Sequence, residues 1–199
     1  MRVFIASEFR CTVYNGEYYL ASKAYNIYKR YADNFGDIVL CSRFVEAEEI
    51  KEGYYKASFV KDSLPISSLS KVLAGFYDSQ IKKLMLSCEL VIARTPSLIA
   101  FRAAELAIKH GITLMAEVMG DPWDAYWNHS VKGKIIAPYM TLKMKYVMNR
   151  ADFAIYVTRE YLQNLYPCKG LSISASNVAL DYVDEAILEK RLKKISETS

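Results

Sequence analysis

Glycine-rich nucleotide loops are missing from this chain. Its eight glycines nowhere form Gly-x-Gly-x-x-Gly or a phosphate-loop Gly-Lys-Ser/Thr. Without them a backbone cannot approach a pyrophosphate as dinucleotide enzymes require, which weighs against a nicotinamide dehydrogenase. Histidine is scarce: only His110 and His129 occur. Cys11, Cys41, Cys88 and Cys168 are far apart, with no Cys-x-x-Cys and no Cys/His pairing at metal spacing, so no metal is expected. Three of the four lie in or beside apolar runs and read as free, buried thiols of a reducing cytosol. No apolar run approaches the roughly 18 to 20 residues that span a bilayer. Met1 to Ala6 is strand-length, without a cleavage site, so the expectation is a cytoplasmic protein, soluble or at the inner face of the membrane. A net charge of +4 from 26 basic and 22 acidic residues is too mild for a dedicated nucleic-acid surface.

What the chain does have is alternation. Apolar, often β-branched runs recur at Val3 to Ala6, Ile38 to Cys41, Tyr55 to Val60, Leu90 to Ala93, Ile112 to Ala116, Phe153 to Val157 and Leu171 to Ser174. Longer segments of helical period separate most of them. This order predicts an α/β fold: a doubly wound, mostly parallel, Rossmann-like sheet of about seven strands with helices on both faces. At 199 residues and 52% apolar content, one domain can bury such a core.

Leu20, Ala24, Ile27, Tyr28 and Tyr31 form one buried helical stripe. Thr95-Pro96 is expected to cap a helix that closes on His110-Gly111, where His110 reads as a favourable charge at a helix end. Ser67 to Met85 reads as a helix broken near Gly75, and Ile135 to Met148 as one that Pro138 shortens or kinks. The domain is expected over residues 1–180. Residues 181–199 read as a helical, polar linker or boundary segment.

Candidate chemistry gathers where the strands end. In open parallel sheets, ligands bind in the crevice beyond the carboxyl ends. Glu117-Val-Met-Gly-Asp-Pro-Trp-Asp124 breaks an apolar run with Gly120 and Pro122 and sets two carboxylates in the turn beyond. Asp121 is the candidate general base for a hydroxyl acceptor. Asp124 is a hydrogen-bonding partner for a sugar, and Trp123, Tyr126 and Trp127 offer flat faces to its C–H patches. The other reading is an Asp-Pro turn anchored by tryptophans. Asn15-Gly16, expected to open the first helix, fits either a phosphate cradle or a plain turn. Arg94 and Thr158-Arg159 also follow strands, though Thr158 equally suits a helix cap. His129 is left open. Lys132, Lys134, Lys143, Lys145 and Arg150 flank apolar residues in a stretch that fits a solvated helix face or a peripheral contact with an anionic membrane.

The opening strand with Asn15-Gly16, the 117–124 block, the strand Ala151-Asp-Phe-Ala-Ile-Tyr-Val-Thr158 and the segment Ser176-Asn-Val178 together resemble the amino-terminal half of a retaining, family 4-like glycosyltransferase of the GT-B architecture. The resemblance implies a domain that binds a glycan or lipid-linked acceptor in surface-polysaccharide synthesis. It faces a second domain that holds the nucleotide-sugar donor, a co-substrate rather than a cofactor. It further implies that the loop matching Asn15-Gly16 approaches the donor diphosphate and that Gly120-Asp121 lines the reaction centre. The paired glutamates and basic phosphate-binding residues of such enzymes belong to the second domain, so these residues alone are expected to be inactive. Two other readings stay open: a standalone doubly wound enzyme for another nucleotide-type ligand, and a non-catalytic interaction module.

Overall fold

The structure, a computed structural model, describes residues 1–128, 131–176 and 185–196. His129, Asn177, Val178 and residues 181–184 lie outside them. Strands β1 (Arg2–Tyr14), β3 (Asp37–Glu46), β5 (Val60–Pro65), β6 (Leu90–Thr95), β7 (Leu114–Val118), β8 (Phe153–Tyr156) and β9 (Leu171–Ser174) pair in parallel, in the order β5-β3-β1-β6-β7-β8-β9. This is a doubly wound order, and it reverses direction between β1 and β6.

Two further strands, β2 (Glu17–Ala21) and β4 (Tyr54–Lys56), bring the sheet to nine. They form an antiparallel ribbon hung on the far end of β1. Two expectations are corrected here. The run Tyr55 to Val60 is not one strand: it holds most of β4 and only the first residue of β5, because one side of the ribbon and the edge of the parallel sheet share that sequence. Leu20 belongs to β2 rather than to the first helix, since its aromatic neighbours Tyr18 and Tyr19 suit a strand when a hairpin partner is present.

Among the described residues the sheet is flanked by α1 (Ser22–Phe35), α2 (Leu69–Leu73), α3 (Asp78–Met85), α4 (Leu98–His110), α5 (Pro122–Trp127), α6 (Val131–Met148) and α7 (Tyr161–Leu165), and α8 (Glu185–Ser196) comes last in the sequence. On one face α1 lays Ala24, Ile27 and Tyr28 on Val3, Ile5, Ile38, Leu40 and Ile92. On the other, α2, α3, α4, α6 and α7 bury Val72, Ile81, Phe101, Met144 and Leu162 against Phe4, Val39, Val91 and Ala116. Each fully buried large side chain contributes about 1.5–3 kcal/mol, so these alternating strand faces hold the layers together.

The expected break near Gly75 separates α2 from α3, with Gly75 at φ 75. Pro138, by contrast, does not shorten α6, which runs from Val131 to Met148 with the proline inside it. Pro138 lies on the exposed side of the helix. Thr95 is not the cap of α4. It completes β6, and Ser97 caps the helix, its Oγ accepting from the Ala100 amide at 3.2 Å. His110 stands in the last turn before left-handed Gly111, as expected. All four cysteines are free, three of them buried.

Candidate functional site at the carboxyl edge of the sheet

The reversal of strand order opens the crevice between the ends of β1 and β6. Just beyond Ala6 the register of β1 against β3 shifts, leaving a bulge at residues 7–9. The bulge brings Glu8 to the start of α4, where its Oε1 accepts from the Leu98 amide at 3.0 Å. A helix N-terminus attracts anions through its free amides and dipole, and here the chain supplies its own carboxylate. Burial, and after it the nearby charge of Glu8, raises the pKa of Tyr126 on α5.

Under the crevice lies a buried ion pair that sequence reasoning did not assemble. Arg94 and Glu117 occupy adjacent positions on β6 and β7, with side chains 0% and 2% exposed. Arg94 Nε donates to Glu117 Oε2 at 2.5 Å and Nη2 to Oε1 at 3.2 Å. Tyr31 of α1 donates to Glu117 Oε2 at 2.9 Å, and the Phe9 ring lies 4.5 Å from the guanidinium carbon. Burial disfavours the charge on Arg94, but the Glu117 carboxylate and the neighbouring Tyr28 together outweigh it and raise the arginine pKa; burial and the same carboxylate push the Tyr31 hydroxyl up. Arg94 Nη1 and Tyr28 Oη are buried without a hydrogen-bond partner. Arg94 and Glu117 are thus a structural strut, not groups that reach a ligand. The signal in sequence was the polar residue at the same place in two apolar strands, which is legible only once their register is known.

The lip beyond β7 and β8 is built from the block 120–124. Gly120 borders open space. Asp121 caps α5: its Oδ1 accepts from the Trp123 amide at 2.9 Å and from the Tyr166 hydroxyl at 2.5 Å. Burial and the Asp121 carboxylate raise the Tyr166 pKa, so that hydroxyl stays a donor. Trp123 and Trp127, one turn apart, stack with centroids 4.5 Å apart and planes 14° from parallel. Asp124 accepts from Tyr161 at 3.2 Å, tying this turn to the next.

Thr158 Oγ1 accepts from the Leu162 amide and donates to Gln163 Oε1, both at 3.0 Å; it meets an amide of the first turn of α7 from outside, the cap position being Glu160, whose side chain makes no capping bond, and Arg159 beside it is exposed. The structure therefore brings Gly120, Asp121, Trp123, Asp124, Thr158 and Arg159 to one edge, at the ends of neighbouring strands. Asn15 and Gly16 do not join them. They are the two-residue turn between β1 and β2, at φ 49 and 74, and do not start a helix. From Ala6 the hairpin runs on for about 20 Å at strand rise, because a two-residue Asn-Gly turn matches the twist of paired strands. Glu8, Ser97 and Tyr126 occupy the place expected for them.

Away from this edge, an apolar hollow of about 450 Å³ is lined by Met1, Phe35, Leu90, Met115, Phe153 and Ile173, on the α1 side of the sheet. Among the described residues no cluster of three His, Cys, Asp or Glu could hold a metal ion, and no helix is long and apolar enough to cross a membrane.

No family model matches the chain. It is similar to Protein CapJ of Staphylococcus aureus, 32% identical over 178 residues, covering 85% of this chain and 45% of that protein; it thus spans about half the length of this curated relative. Among solved structures it is similar to the S. aureus MnaA–UDP co-structure (10% identity, 96% of this chain and 50% of that one, TM-score 0.49). It is also similar to a sucrose-phosphate synthase from Thermosynechococcus elongatus (11% identity, 96% and 97%, TM-score 0.47) and to a UDP-GlcNAc 2-epimerase from Neisseria meningitidis bound to UDP-GlcNAc (12% identity, 87% and 45%, TM-score 0.47).

Proposed function

We propose that these residues form the acceptor-binding half of a two-domain glycosyltransferase, one that transfers a sugar from a nucleotide-sugar donor to a glycan or lipid-linked acceptor in surface-polysaccharide synthesis. The observation that carries the reading is the division of labour along the carboxyl edge. At the switch point the start of α4 is filled by Glu8, whose charge repels a diphosphate. The neighbouring lip presents the stacked Trp123–Trp127 pair beside Asp124 and Tyr161, a combination suited to the apolar faces and hydroxyls of a sugar ring.

Transfer needs groups that stabilise the leaving diphosphate where its charge develops. On this reading a second domain supplies them, Gly120 and Asp121 line the reaction centre on this side, and the 199 residues alone turn over no donor. The similarity to about half of Protein CapJ supports a longer functional unit.

The test is titration of the Trp123–Trp127 fluorescence with oligosaccharide and lipid-linked acceptors, alongside a radiolabelled nucleotide-sugar assay. Saturable quenching that Trp123→Ala abolishes and Asp121→Ala weakens roughly tenfold, with no turnover by this chain, is expected. Turnover by the chain alone, or binding indifferent to both substitutions, refutes the proposal.

A further inference from the structure

Helix α6 has two apolar faces, and among the described residues only one has a partner in the fold. Ala137, Met140, Met144, Val147 and Met148 are buried against the sheet side. The opposite face carries Val131 (80% exposed), Ile135 (77%), Tyr139, Leu142 (67%) and Tyr146, all open to solvent. At 3.6 residues per turn these five side chains fall within an arc of about 80° along the whole helix. An unbroken outward apolar stripe of this length is unusual on a soluble surface.

Its borders are of one sign. Between Val131 and Arg150 the sequence has Lys132, Lys134, Lys143, Lys145 and Arg150 and no aspartate or glutamate. By the same helical geometry Lys134 and Lys145 fall on one side of the stripe and Lys143 on the other. Lys109 of α4 shares with Tyr139, Leu142 and Tyr146 the open groove beside α6, and the one carboxylate lining it, Glu105, is paired with Lys143 and Arg102. Aromatic side chains stand at both ends: Tyr146 under Arg150 (4.1 Å), and the Trp123–Trp127 stack, with Lys134 Nζ 5.9 Å from the Trp127 ring.

We infer that the outward face of α6 docks on an anionic lipid surface, with the stripe in the headgroup–acyl boundary and the lysines on lipid phosphates. An apolar stripe alone would suit a protein partner equally. Bordering cations without a single counter-charge on the helix, and flanking tyrosines and tryptophans, fit a bilayer interface. No helix crosses the membrane on this account; α6 lies along it. The inference stands on the helix face and does not depend on sugar transfer. On the transferase reading it adds that α6 begins beside the α5 lip, so docking sets the crevice mouth over the bilayer, where a lipid-linked acceptor would emerge.

The experiment is flotation of the full chain with phosphatidylcholine vesicles, with and without phosphatidylglycerol. Binding is expected only with the anionic lipid, and it should be lost as salt shortens the Debye length from about 10 Å to about 3 Å. Lys134→Glu/Lys145→Glu and, separately, Ile135→Ser/Leu142→Ser should each weaken binding about tenfold or more, whereas Phe76→Ser, on exposed apolar surface elsewhere, should leave it unchanged. All substituted side chains are exposed, so the variants keep the fold, which circular dichroism checks. No binding, or equal binding to uncharged vesicles, overturns the inference. So does a dimer in sedimentation velocity that Ile135→Ser/Leu142→Ser dissolves without vesicle binding, since the stripe then pairs two copies. Flotation reads no sugar chemistry, so its failure leaves the acceptor titration to be judged by itself.

Discussion

Breaking the Arg94–Glu117 pair from one side should cost far more than removing both partners. Both side chains are out of solvent, and the carboxylate is held by the guanidinium and by Tyr31. Glu117→Gln leaves the buried cation facing a neutral amide, beside an Nη1 that already has no partner. Arg94→Met leaves a buried anion that has lost its cation. Each single change should therefore lose about 3–5 kcal/mol, a large share of the 5–15 kcal/mol that holds a typical domain together. The double variant Arg94→Met/Glu117→Gln carries neither charge and keeps the shape of the site, with methionine packing on Phe9 and Tyr28. It should fall only about 1–2 kcal/mol below the parent. Urea unfolding followed by circular dichroism and tryptophan emission gives the four free energies and a coupling of several kcal/mol. Additive single losses, or single losses under about 1 kcal/mol, would show that the pair is solvated or loosely held and would refute the strut.

Two further outcomes follow from close packing and from burial. A Cβ on Gly170 would lie 1.9 Å from the Asp152 carbonyl oxygen and 2.9 Å from that of Ala151, both backbone atoms, so Gly170→Ala must push β9 away from β8. A loss of roughly 1–3 kcal/mol is expected, with faster amide exchange at Leu171, whose N–H bonds Asp152 O; unchanged exchange would disprove the clash. Burial pushes the Cys11 thiol from 9.0 to about 12, against a weak opposing contact with the Tyr19 carbonyl, and raises Cys41 as well. Below pH 9 this contribution to stability is fully present. Above it the unfolded thiols ionise while the folded ones keep their protons, so stability should fall by up to about 1.4 kcal/mol per pH unit for each such thiol as pH climbs towards 12. Cys11→Ala/Cys41→Ala should flatten that decline, and an identical slope in the two proteins would count against it.

The lip beyond β7 and β8 was largely legible in the amino-acid string. Asp121, Trp123 and Asp124 follow an apolar run that Gly120 and Pro122 terminate, and local turn chemistry of this kind acts within a few residues whatever the rest of the chain does. The same holds for the break at Gly75 and the left-handed end of α4 at Gly111. Asn15-Gly16 was legible as a turn and misleading as a helix opening. Whether an Asn-Gly pair closes a hairpin depends on Glu17–Ala21 finding a strand to pair with, and β4, its other neighbour, lies more than thirty residues on.

Alternation of apolar runs and helical periods by itself determined that this chain builds a parallel sheet with helices on both faces, because side-chain period is a property of neighbours along the backbone. Tertiary structure alone decided that Arg94 meets Glu117, that Glu8 fills the start of α4 across ninety residues, and that the second apolar face of α6 is left uncovered. Those outcomes depend on strand register and on which surfaces the layers consume, quantities set by the whole sheet and by no local stretch of sequence.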